Sequence, residues 1–148
     1  MARTAHGIGM GLLFTVGALL AQQGSAQDGL PEPIVSERLS KPLADIPGKE
    51  VLVLTVEYPP GGGDPIHRHD AHGFIYVLEG EIVMGVRGGK AVTLRRGDTF
   101  YEGPDDIHTV GRNASKTERA RFLAVLVKNT GAGALIPLNQ GGTEVDKP

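Results

Sequence analysis

The chain holds five histidines, and three of them fall within six positions: His67, His69 and His72, with His108 further along. Side chains of an extended segment alternate between faces, so His67 and His69 point one way and Arg68 the other. Two imidazoles on one face are half of a metal site, and His108, which opens a later β-rich run, can supply a third ligand. The spacing predicts one divalent transition ion held by His67, His69 and His108. Imidazole suits zinc, copper, iron or nickel, and manganese stays open as well. With no cysteine in the chain, thiolate cannot narrow the choice.

An isolated H-x-H pair is more often an exposed loop feature, so the elements around it must carry the argument. Short runs rich in β-branched and apolar residues read as strands at 51–58, 74–78, 81–87, 91–94, 99–102, 108–110 and 121–128. Turn signals separate them: the glycine-rich stretch 59–64, then Glu79-Gly80, Gly88-Gly89 and Arg96-Gly97-Asp98. Short strands joined by glycine turns, without useful helical periodicity, predict an all-β, antiparallel barrel or sandwich. The run 122–127 is apolar at every position and is expected to be buried on both faces.

Residues 1–26 differ in kind from the rest. Arg3 starts them, an apolar run follows from Ile8 to Leu20, and small residues end them at Gly24-Ser25-Ala26. This is the pattern of a cleaved export signal, and the run is shorter than the roughly 20 apolar residues a membrane span needs. The expectation is an exported protein, periplasmic or secreted, with no stable membrane insertion after leader cleavage. Residues 27–49, with Pro31, Pro33, Pro42 and Pro47, read as an extended N-terminal arm. The barrel is placed at 50–130, and 131–148 reads as a trailing tail. The length suits one domain. Arg3 is the leader's one charged residue, which leaves 17 acidic residues against the other 14 basic ones and no footprint for nucleic acid.

Gly61, His67, His69 and Gly80 fall in register on the first motif of the cupin superfamily, G-x5-H-x-H-x3-E-x6-G, and the chain resembles that superfamily over residues 50–128. Gly97 and His108 fit the second motif, G-x5-P-x-G-x2-H-x3-N. Gly103 stands there for proline and Asp105 for glycine, and Asn113 comes one residue late. The resemblance implies a jelly-roll barrel, often a homodimer, with a metal between the two motifs.

The main departure is Gly73, which stands where the family pattern places a metal-binding glutamate. Three neutral imidazoles alone would leave the ion its full +2 charge, favouring a small, anionic substrate. His72 becomes a fourth ligand if an irregular strand start turns it inward; in a regular strand it shares parity with Phe74 and Tyr76 and faces away. Continued alternation puts Ile75 and Val77 beside the pocket, and either Phe100 or Tyr101 projects inward, Tyr101 bringing a hydroxyl. Asp64, Asp70, Asp105 and Asp106 read as turn formers. Asn113-Ala114-Ser115 reads as a loop.

These features point to a dioxygenase-like oxidoreductase acting on a small anionic or enolisable substrate. The alternatives are a non-enzymatic cupin that binds a metal or small ligand, and a metal-dependent isomerase or lyase.

Overall fold

The computed structural model describes residues 29–139, 141, 143 and 144; the predicted leader, residues 1–26, lies outside them. The described residues form ten strands and no helix: β1 (Ile34–Pro42), β2 (Lys49–Tyr58), β3 (His67–Arg68), β4 (Ala71–Glu79), β5 (Glu81–Val86), β6 (Val92–Arg95), β7 (Thr99–Glu102), β8 (Ile107–Asn113), β9 (Ala120–Asn129) and β10 (Ile136–Pro137). They make two five-stranded sheets, ordered β1-β2-β9-β4-β7 and β10-β3-β8-β5-β6, with antiparallel pairing throughout. The result is the expected all-β jelly-roll barrel.

Alternation along each strand decides what fills the barrel. On β2, Leu52, Leu54, Val56 and Tyr58 are buried while their neighbours are half-buried. On β9, the central strand of its sheet, Phe122, Ala124 and Leu126 point inward. Burying Phe122 or Leu126 stabilises the fold by about 1.5–3 kcal/mol each. Tyr58 meets Phe122 edge-on, with ring centroids 5.1 Å apart. The second faces of Leu123, Val125 and Val127 are only half-buried, so the run 122–127 is not sealed on both sides. Phe74, Tyr76 and Tyr101 lie exposed on the same outer sheet face.

Gly80 joins β4 to β5 with φ of 71°, and a Cβ there would stand 2.7 Å from the Arg119 carbonyl oxygen. Both the backbone angle and the close approach require glycine. This is the closing glycine of the first motif.

The segments read as arm and tail both enter the sheets. Ile34–Pro42 pairs with β2 along most of its length, as an edge strand whose last position is proline. An edge strand tolerates proline because one row of its N–H groups has no ladder to join. At the other end, β10 pairs with β3, and Leu138 is buried.

Candidate metal centre

His67 on β3 and His108 on β8 are direct cross-strand partners, so the pairing of two strands far apart in sequence sets two imidazoles side by side. His69 follows just beyond β3 on the same face, while Arg68 turns outward to Asp70 and Glu144. The fourth member was not foreseen: Glu102, the last residue of β7, is buried with its carboxylate against the histidines. His67 Nε2 lies 3.1 Å from His69 Nε2 and 3.2 Å from His108 Nδ1. Glu102 Oε2 lies 3.3 Å from His69 Nε2, and Glu102 Oε1 lies 3.8 Å from His108 Nδ1.

Hydrogen bonds behind the cluster fix which ring nitrogens face it. His67 Nδ1–H donates to the Pro65 carbonyl at 2.8 Å, and His69 Nδ1–H donates to the Ala134 carbonyl. Both Nε2 atoms therefore turn lone pairs into the same small space. Lone pairs at this separation repel unless something positive sits between them. Glu102 Oε2 and His108 Nε2 are buried without a hydrogen-bond partner among the described residues. Two donors on one ion at about 2.1 Å stand about 3.0–3.4 Å apart for right or tetrahedral angles, which is the spacing of the three closest pairs. The donor set fits a divalent transition ion, and His67, His69, Glu102 and His108 would hold it.

Burial holds two of the three histidines neutral, as metal ligands must be. Burial, reinforced by His108 and His69, pushes the His67 pKa down to about 3, so its ring is neutral at ordinary pH. Burial also lowers that of His108, against the pull of Glu102. For His69 the cost of burial is outweighed by the Glu102 carboxylate beside it, so in the metal-free protein its pKa lies above the usual histidine value and a proton can stand where the ion would. Burial likewise opposes ionisation of Glu102, yet the adjacent histidines, His69 at 3.3 Å foremost, hold its pKa below the usual carboxylate range.

Asp64 stands beside this cluster, not in a solvated turn. Its carboxylate accepts the Tyr58 hydroxyl, and its oxygen shares a donor group with His67 and His108 within 4.8 Å. Burial raises its pKa to about 6. Gly111 makes the meeting possible: a Cβ there would stand 2.9 Å from His108 Cε1, 3.0 Å from Tyr58 Oη and 3.3 Å from Asp64 Oδ2. Asn113 is buried, its amide donating to the Tyr58 and Glu118 carbonyls, so it pins a loop.

The cluster lies at the foot of a cavity walled by Leu54, Val56, Ile75, Met84, Phe122 and Leu126. Val35 of β1 and Leu135, close after Ala134, also line it. Of the expected pocket residues, Ile75 lines the cavity. Val77 shares its parity but is fully buried in the core and is not among the lining residues. His72 and Tyr101 lie on the outer face, where the Tyr101 hydroxyl donates to His72 Nδ1 at 2.8 Å and the rings stack. The reason is regularity: β4 runs without a bulge from Ala71 to Val77, so His72 keeps the outward parity of Phe74 and Tyr76. The carboxylate absent at Gly73 is supplied from β7 instead. A sequence signal for it existed: Glu102 shares strand parity with Phe100, the residue of the Phe100/Tyr101 pair that packs against the core.

Residues 54–126 match the Cupin domain family. The chain is 32% identical over 123 residues to the Oryzines biosynthesis cluster protein J of Aspergillus oryzae, covering 83% of this chain and 66% of that protein's length. A double-stranded β-helix domain protein from Klebsiella pneumoniae superposes with a TM-score of 0.57 at 22% identity, covering 78% of this chain and 96% of that one. An oxalate oxidase in complex with its substrate analogue glycolate superposes with a TM-score of 0.54 at 25% identity, covering 70% and 54%. Residues 54–126 thus match the Cupin domain family, and the chain's two antiparallel sheets close around the His67, His69, Glu102 and His108 cluster as a jelly-roll barrel.

Proposed function

We propose that this chain is an exported, metal-dependent cupin oxidoreductase that uses dioxygen on a small, enolisable, anionic molecule. The observation that carries this reading is the convergence of three imidazoles and one carboxylate, each within 3.1–3.8 Å of a neighbour, at the foot of an open, largely apolar cavity. When bound, a redox-active ion there supplies Lewis acidity and a route for electrons to dioxygen. The protein's own residues do the rest. Glu102 lowers the charge of the loaded site from the +2 expected of histidines alone to +1, which still attracts an anion. Asp64, beside the cluster and able to take a proton near neutral pH, receives the proton that an enolisable substrate gives up. The apolar wall excludes water and orients the substrate. The likeness to an oxalate oxidase bound to a small oxygen-donor acid supports the same class of chemistry.

Two parts of the reading concern the whole protein. Residues 1–26 serve as the export leader, and the exposed Phe74, Tyr76 and Tyr101 face pairs two copies. Sedimentation of the mature chain tests the second.

The deciding experiment is elemental analysis of the purified protein, followed by oxygen-electrode assays with β-diketones, catechols and flavonols. Metal-dependent oxygen uptake supports the proposal. Proton exchange or elimination without oxygen uptake would place the protein with isomerases or lyases, a reading that the Tyr58–Asp64 pair favours. Tight metal retention without turnover would make it a binding protein.

A further inference from the structure

The cavity is chemically two-ended. At its foot sit His67, His69, Glu102 and His108, with Asp64 beside them; among the described lining residues there is no lysine, arginine, serine, threonine, asparagine or glutamine. Everything above the foot is apolar, from Ile75, Met84 and Phe122 up to Val35 and Leu135. Val35 and Leu135 are also exposed, 53% and 36%, so the apolar wall continues to the solvent.

This wall decides which ligands the centre can take. An ion held by three neutral imidazoles and one carboxylate carries net +1, which one anionic group neutralises. A compact dianion would bring a second charge, and no cation lines the wall to receive it, while Asp64 adds repulsion. A hydrocarbon substituent, by contrast, gains by leaving water against Ile75, Phe122 and Leu135.

We propose that the ligand is a monoanionic oxygen chelator with an apolar body, its two oxygens at the cluster and its alkyl or aryl part running out between Val35 and Leu135. This rests on the metal-centre reading above and narrows it. It also separates this site from one for oxalate, the small dianion named for the structural relative.

The test uses the full chain loaded with cobalt(II), whose visible spectrum reports chelation. Acetohydroxamate, butanohydroxamate, hexanohydroxamate and octanohydroxamate share one head and differ in body, and oxalate is the compact dianion. Affinity should rise about fourfold per added methylene while the chain is being buried, and oxalate should bind no better than acetohydroxamate. Leu135→Asn and Val35→Thr should flatten that rise and leave cobalt uptake and acetohydroxamate affinity unchanged. One cobalt per chain with an affinity independent of chain length, or with oxalate binding tighter than hexanohydroxamate, overturns the proposal and spares the metal centre. An undiminished rise in both variants overturns the placement of the body. Failure to take up cobalt removes the metal-centre reading and this inference with it.

Discussion

Gly73 on β4 lies directly opposite Glu102 on β7, and the Glu102 carboxylate joins the histidines from the strand facing the position where the cupin pattern puts its own. Both residues point inward, and a Cβ at Gly73 would stand 3.6 Å from Glu102 Cβ. The carboxylate has changed strands without leaving the site.

Its relocation predicts a swap. Glu102→Gln should weaken metal binding by more than the roughly 10–100-fold that loss of a supporting hydrogen bond costs. Adding Gly73→Glu to Glu102→Gly should recover much of the affinity, measured by competition with a chromogenic chelator. No recovery, with the fold intact, would mean that the two positions are not equivalent.

The histidines separate into two groups. His67→Ala, His69→Ala and His108→Ala should each abolish stoichiometric metal uptake, whereas His72→Ala and Tyr101→Phe on the outer face should retain it. Elemental analysis of the five variants decides this.

The loop over the site is tied down by Lys128, which is buried, pairs with Glu50 and donates to the Ala132 carbonyl. Two residues on, the Ala134 carbonyl holds His69. Lys128→Ala leaves Glu50 without its partner and should lower the melting temperature more than Arg95→Ala, which breaks only an exposed pair with Glu81. It should also weaken metal binding about 10–100-fold through His69.

Asp64 predicts a pH effect on the metal-free protein. Its pKa is raised from the usual 3.8 to about 6, so the folded state holds the proton more tightly than the unfolded chain. The associated stability is full below pH 3.8 and is lost as pH rises through about 6. Asp64→Asn removes this loss. Relative to the variant, wild type should lose on the order of 3 kcal/mol between pH 4 and 7, read from urea unfolding. Parallel pH profiles would show that Asp64 keeps an ordinary pKa.

Much of the barrel was legible because its determinants are local. Short runs of β-branched and apolar residues bounded by turn signals mark β2, β4, β5 and β9, and Gly80 marks the turn that only glycine can make. The short strands β3 and β10 and the edge strand β1 were not legible. Two-residue strands carry no period, and β1 is flanked by Pro31, Pro33 and Pro47 and ends on Pro42, which is tolerated because the strand lies at an edge.

The sequence by itself determined that His67 and His69 share a face, since that depends only on the two-residue period of an extended chain. It also determined that Gly73 cannot ligate. What completes the site was decided by tertiary structure: Glu102 reaches it through the β4–β7 register, His108 through pairing with His67, and the Ala134 carbonyl through the return of the C-terminal segment. Each is a contact between residues far apart in sequence, set by how strands align across the sheets, and no local pattern encodes that alignment.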